Sequence, residues 1–308
     1  MQYRLEPDVL SSLVSSNFEL VGSCRRQIRG WGMTDEQTNK GGAPLETRFS
    51  GSVPENYDRG LGPHIFDYYA RQIAERCAAL NPACVLETAA GTGIATEQLA
   101  RALDPGCKLV ATDLNEPMVE YAKQKLAYRD STEYRVADGC DLPFDDNSFD
   151  AMVCQFGVMF YPDKQAGFEE ALRVLKPGGT YLFNVWNSWA SNRFAEVVFD
   201  VGAEFVPDDP PAFYKVPFSY HDTGEILAAL AKAGFVDCHA EELHHELAIE
   251  DPALLAQGAV YGNPLFFELA DRGIDPDEVL QRMVHSFGER LDNRLQLNAI
   301  FVSAKKAG

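Results

Sequence analysis

The sequence predicts an α/β protein built on a doubly wound parallel sheet. Three observations carry this. Between residues 83 and 185 short apolar runs alternate with helix-length amphipathic stretches, the rhythm of parallel strands joined by crossover helices. The first apolar run ends in Glu87-Thr88-Ala89-Ala90-Gly91-Thr92-Gly93, a glycine loop between a strand and a helix. The next two strand-like runs end in acids, Asp113 and Asp138.

Ile65, Phe66, Tyr69, Ile73, Cys77 and Leu80 recur at helical spacing, which predicts a helix over 63–80. Strands are expected at 83–86, 108–112, 134–137, 149–154 and 180–185. Helices are expected through Leu99 to Leu103 and over 118–126 and 168–175. Lys176-Pro177-Gly178-Gly179 should stop the last of these and turn the chain, because proline and glycine do not continue a helix. The C-terminal third reads differently. Asp222 and Glu225 are spaced as a capping box for a helix to Lys232, with Gly234 just past its end. A strand is expected at 236–242. Asp251-Pro252 and Asp275-Pro276 each pair an N-cap with proline in the first turn, and 295–304 closes as a strand. Residues 1–45 read as an N-terminal extension and 46–308 as one domain, with a binding core at 64–187 and a covering part at 188–308.

Composition limits the function. The 308 residues carry 27 Lys and Arg against 46 Asp and Glu, a net charge of −19. Such a body repels a phosphate backbone and an anionic bilayer, so neither nucleic acid nor membrane is an expected partner. Seven widely spaced cysteines without a C-x-x-C argue against a disulfide framework or a zinc ribbon, and for a reducing compartment. No leader-like apolar stretch opens the chain and none is long enough for a membrane span, so the expected location is cytoplasmic.

The site is read from strand ends. A glycine loop lets a ligand approach the backbone and offers N–H groups at a helix N-terminus. An acid ending the second strand, Asp113, can accept from both hydroxyls of a ribose. Asp138 stands where a carboxylate can accept from an adenine amine. The dinucleotide register Gly91, Gly93, Thr96 puts threonine where a small residue belongs, which counts against a nicotinamide-dependent oxidoreductase. No Gly-Lys-Ser/Thr makes a P-loop. Glu87, just before the glycines, suits a ligand with a cationic amino-acid part.

Val85-Leu86-Glu87-Thr88-Ala89-Ala90-Gly91-Thr92-Gly93, Ala111-Thr112-Asp113-Leu114-Asn115-Glu116-Pro117-Met118, Ala137-Asp138-Gly139, Leu142-Pro143-Phe144, Ser148-Phe149-Asp150 and Arg173-Val174-Leu175-Lys176-Pro177-Gly178-Gly179 follow in order. This set resembles class I S-adenosylmethionine-dependent methyltransferases, in the small-molecule branch of ubiquinone/menaquinone-biosynthesis-type enzymes. The resemblance covers about residues 49–187. It implies a Rossmann-like seven-stranded sheet, mostly parallel with an antiparallel last strand, plus helical insertions. It also implies S-adenosylmethionine as cofactor and a small, partly apolar acceptor. By the resemblance, Glu87 and the Gly91–Gly93 backbone hold the methionine moiety and Asp113 the ribose. Leu114 and Met118 pack on the adenine, Asp138 and the Gly139 backbone read its edge, and Gln155 lies near the methyl. Ala89 stands where the family often has glycine. Tyr57-Asp58 matches a segment that covers the cofactor in such enzymes. A protein that binds the cofactor without turnover would need the same groove.

Other residues invite a blander reading. Asp58 and Arg59 read as a solvated pair, and His239, His244 and His245 lack metal-ligand spacing. The run Phe213-Tyr214-Lys215-Val216-Pro217-Phe218-Ser219-Tyr220 is either a packed loop or one wall of an apolar pocket. If the acceptor is a hydroxyl, a base must take its proton, and His64, His221, Tyr57 and Tyr161 are the candidates.

Overall fold

A computed structural model describes residues 51–128 and 132–308, all within a compact unit, Pro44–Gly308. The extension expected over residues 1–45 lies outside the described residues. A short helix, Val53–Asn56, runs into a wide-wound entry helix, Tyr57–Phe66, where the Asp67 N–H reaches back to the Gly62 carbonyl. This continues as α1, Asp67–Ala79. Then β1 (Cys84–Thr88), α2 (Ile94–Ala102), β2 (Lys108–Asp113), α3 (Glu116–Lys125), β3 (Thr132–Val136) and β4 (Phe149–Gln155) follow. After them come α4 (Lys164–Val174), β5 (Leu175–Trp186), α5 (Arg193–Phe205), α6 (Thr223–Ala233) and β6 (Val236–Ala248). The chain ends with α7 (Pro252–Tyr261), α8 (Leu265–Asp271), α9 (Pro276–Leu291) and β7 (Arg294–Lys305).

The strands form one seven-stranded sheet in the order β3-β2-β1-β4-β5-β7-β6. The first five run parallel, and β7 lies antiparallel to both β5 and β6. Neighbouring strand residues point to opposite faces. Val85, Leu109, Ala151 and Leu182 pack under Ile73, Cys77 and Leu99. Leu86, Val110, Met152 and Phe183 enter the larger core on the other face, with Phe168 and Val174. Burial on both faces is why these strands read as near-continuous apolar runs.

Three helix starts follow the expected caps: the Asp222, Asp251 and Asp275 side chains accept from the N–H groups of Glu225, Leu254 and Asp277. Two expectations need correction. The stretch Lys176–Gly179 is not a clean turn. Pairing begins at Leu175 opposite Phe149 and resumes at Thr180 opposite Ala151, so residues 176–179 bulge within β5. The strand expected to end at 242 runs to Ala248, because β6 pairs with β7 along nearly its whole length. All three histidines 239, 244 and 245 therefore lie on a strand, and His245 stacks on Tyr68 at 4.1 Å. Among the described residues no helix is long and apolar enough to cross a membrane.

Candidate active site

The crevice lies at the carboxyl ends of β1 and β4. In the sheet order, β1 connects onward to β2 on one side and has β4 on the other, so a cleft opens between the diverging connections. The entry helix contributes Tyr57 and Phe66, the loop after β1 contributes Ala89, Ala90, Gly91 and Thr92, and α2 contributes Ile94 and Ala95. Glu87 and Gln155 close it from the strands. The space is about 310 Å³ including its open mouth.

Glu87 is 1% exposed, and no donor among the described residues reaches hydrogen-bonding geometry on either carboxylate oxygen. Burial pushes its pKa up from the ordinary 4.5 to about 8, and nearby Thr96 offsets part of that rise while the Asp113 charge adds to it. Asp113 is nearly buried too, but partnered. Its Oδ2 accepts from the Gly91 N–H at 2.8 Å, and its Oδ1 accepts from the Asn115 N–H at 2.8 Å. Burial raises its pKa and these bonds oppose the rise. Ala89 holds a left-handed φ of +53°. A side chain there costs roughly 1–2 kcal/mol, which is a physical reason for glycine at this position in the family. Its methyl is accommodated because Gly157 lies opposite, where an added Cβ would stand 2.4 Å from the Ala89 Cβ.

Of the residues expected to bind cofactor, Tyr57, Glu87, Ala89, Gly91 and Gln155 meet in this crevice. Asp113 joins it through its bond to Gly91. Gly93 caps α2 from the end of the same loop. Leu114 is half exposed beside Asp113, and Met118 is buried in the first turn of α3. Asp138 is exposed past β3, and its carboxylate accepts from the Cys140 N–H at 2.8 Å. Gly139 lies against the Tyr161 ring, where any Cβ would collide. Neither Asp138 nor Gly139 lines the crevice between Tyr57 and Gln155.

The candidate bases are dispersed. Tyr57 stacks on Phe66 at 5.0 Å inside the crevice. Burial, then the Asp113 and Asp58 charges, holds its phenol protonated far above the ordinary range, which suits a wall and not a base. Tyr161 is buried, donates to Thr88 Oγ1 at 3.1 Å and touches Cys154 Sγ at 3.6 Å; it does not line the crevice. His64 shares a 2.7 Å bond from Nδ1 with the Gly60 carbonyl, and His221 precedes α6; neither lines the crevice.

Sequence reasoning missed two features. Asp58 is not a solvated partner of Arg59, which pairs instead with Glu55. Asp58 accepts from Thr92 Oγ1 at 2.8 Å and from Lys125 Nζ at 2.5 Å. The second feature is an aromatic stack leading away from the crevice. Phe66 lies 5.7 Å from Phe156, which stacks on Trp186 at 4.0 Å, and Trp186 stacks on half-buried Phe218. Phe156 has a φ of +51°, and Asn184 Oδ1 accepts its N–H at 3.0 Å. Within the run 213–220, Phe213, Tyr214 and Tyr220 are core residues, and only Phe218 joins the stack.

Residues 86–183 match the family model described as a methyltransferase domain. A demethylmenaquinone methyltransferase from Clavibacter sepedonicus is 45% identical over 95 residues, 31% of this chain and 38% of that protein. Another from Staphylococcus aureus is 38% identical over 150 residues, 48% of this chain and 61% of that protein. The chain thus spans about two fifths to three fifths of the length of these relatives. The solved structure of Haemonchus contortus phosphoethanolamine N-methyltransferase 2 with S-adenosyl-L-methionine shares the fold. Its TM-score is 0.58 at 19% identity, covering 87% of this chain and 61% of that one.

Proposed function

We propose that this protein transfers a methyl group from S-adenosylmethionine to a small, partly apolar acceptor and releases S-adenosylhomocysteine. One observation carries the reading: a fully buried carboxyl, Glu87, has no cationic partner among the described residues and lines an open crevice beside a glycine loop. An unpaired buried acid is costly unless a cation meets it, and an amino-acid ammonium is such a cation. The cofactor supplies a methyl already activated on a sulfonium. The chain therefore has to hold, align and exclude water, and no metal or nucleophilic side chain is required of it.

In this reading Glu87 accepts from the ammonium, and the Gly91–Gly93 backbone follows the methionine chain. Asp113 Oδ1 already accepts two bonds from Asn115, while Oδ2 keeps a lone pair for a ribose hydroxyl beside its bond from Gly91, which holds the loop facing it. Leu114, exposed beside it, and Met118 cover the adenine, while Asp138 and the Gly139 backbone read its edge. Gln155, held by its Nε2 bond to the Phe66 carbonyl at 3.2 Å, turns toward the methyl. Tyr57 and Phe66 shut out water. The aromatic stack Phe66, Phe156, Trp186 and Phe218 suits an acceptor with an apolar part. The names of the menaquinone-type relatives support the same class.

Calorimetric titration with S-adenosylmethionine and S-adenosylhomocysteine tests this. Asp113→Ala should weaken both by about tenfold or more, since a buried charge-assisted contact is lost. Unchanged affinity would refute the assignment. Methyl-labelled cofactor in a metabolite extract should yield a labelled small molecule; its absence despite tight binding would mean a binder without turnover.

A further inference from the structure

The entry helix, the glycine loop and α3 meet at one carboxylate. Asp58 Oδ1 accepts from the Thr92 hydroxyl and from Lys125 Nζ, and Oδ2 lies 3.5 Å from the Tyr121 hydroxyl. Lys125 Nζ also approaches the Thr92 carbonyl at 3.5 Å. Tyr121 and Lys125 lie one turn apart on α3 and present one face. The ion pair is largely sheltered, with 14% of the Asp58 side chain and 24% of the Lys125 side chain exposed. Such a pair is screened less than a surface bridge, and removing one member strands the other.

The position of this pin matters. Asp58 follows Tyr57, which lines the crevice, and Thr92 lies between the two glycines of the loop that also lines it. The loop is held from its other side by Asp113 on the Gly91 N–H. Asp58 thus ties the entry helix to the glycine loop, two elements that line the crevice, without lining it itself.

We infer that Asp58 is a positioning residue that sets the gap between Tyr57 and the glycine loop, and so controls how tightly the cofactor is held and not how fast it reacts once bound. This rests on the crevice being the S-adenosylmethionine site. The carboxylate acts through Thr92 and Lys125; it touches no reacting atom.

The test is calorimetric binding of S-adenosylhomocysteine by the full chain, joined to steady-state kinetics. Asp58→Ala should weaken binding by about tenfold or more, and Thr92→Val and Lys125→Met by a smaller factor each. The Asp58→Ala/Thr92→Val double variant should be no weaker than Asp58→Ala alone, because the two share one bond. Arg59→Ala, beside the pin but exposed and paired with Glu55, should bind as the parent does. The KM for cofactor should rise while turnover at saturating cofactor stays put; a merely loosened fold would lower affinity and turnover together. If Asp58→Ala does not fold, the two single-bond variants carry the test. Parent-like affinity in all three, or a parallel loss of affinity and turnover, overturns the proposal. Failure of the parent itself to bind S-adenosylhomocysteine overturns the reading beneath it and the proposal with it.

Discussion

Glu87 shows what one side chain does when folding strips it of water and, among the described residues, supplies no cation. Its carboxyl pKa is pushed up to about 8, so the free protein favours it protonated at neutral pH. The sign follows from linkage. A folded-state pKa above the unfolded one stabilises the fold fully below pH ~4.5, and that contribution is lost as pH rises through about 8. Against Glu87→Gln, the parent should therefore lose stability across that window, by on the order of a few kcal/mol, in urea unfolding at a series of pH values. A flat difference would show that Glu87 meets a partner in the free protein. The position of this acid before the glycines was legible in the sequence. Its lack of a counter-charge was not, because that depends on what the surrounding strands and helices bring within reach, and among the described residues they bring no cation.

At the scale of elements, the entry helix is held by α7, from the other end of the chain. Gly60 and Gly258 meet backbone to backbone, and a Cβ on Gly258 would stand 2.7–2.8 Å from Gly60 and Leu61 backbone atoms. The Gln257 side chain donates to Asn56 Oδ1 across 201 residues of sequence. Gly258→Ala should therefore cost about 1–3 kcal/mol in thermal or urea unfolding and displace Tyr57, weakening S-adenosylhomocysteine binding in the same variant. Parent-like stability would show that the two helices part freely. Helix starts were easy to read, since an aspartate before Pro252 or Pro276 is a local signal. The helix Arg193–Phe205 was overlooked although Phe194, Val197, Val198 and Val201 carry helical spacing. β6 was cut short because its outer residues are polar, as suits a strand at the sheet's edge. The seam between Gly60 and Gly258 left no trace in the sequence, being a contact between segments far apart in the chain.

Across the whole molecule, the strand order β3-β2-β1-β4-β5-β7-β6 puts the crevice where the connections diverge. That much followed from the alternation of short strands and helices, and the direction of β7 followed from family resemblance. The −19 charge is a property of the entire body. Self-repulsion at low salt opposes the compact state and is screened as the Debye length falls from ~10 Å at 0.1 M to ~3 Å at 1 M. The melting temperature should therefore rise with added sodium chloride, by a few degrees over that range, in a thermal scan of the free protein. A fall would mean that favourable pairs such as Lys125 with Asp58 outweigh the repulsion. The contact between Gly262 and the Tyr57 backbone has its own corollary, since a Cβ at 262 would stand 2.7 Å from the Tyr57 nitrogen. Anyone exchanging the C-terminal third should leave positions 258 and 262 untouched, because a wholesale swap would also remove the backbone support under Tyr57 and Gly60.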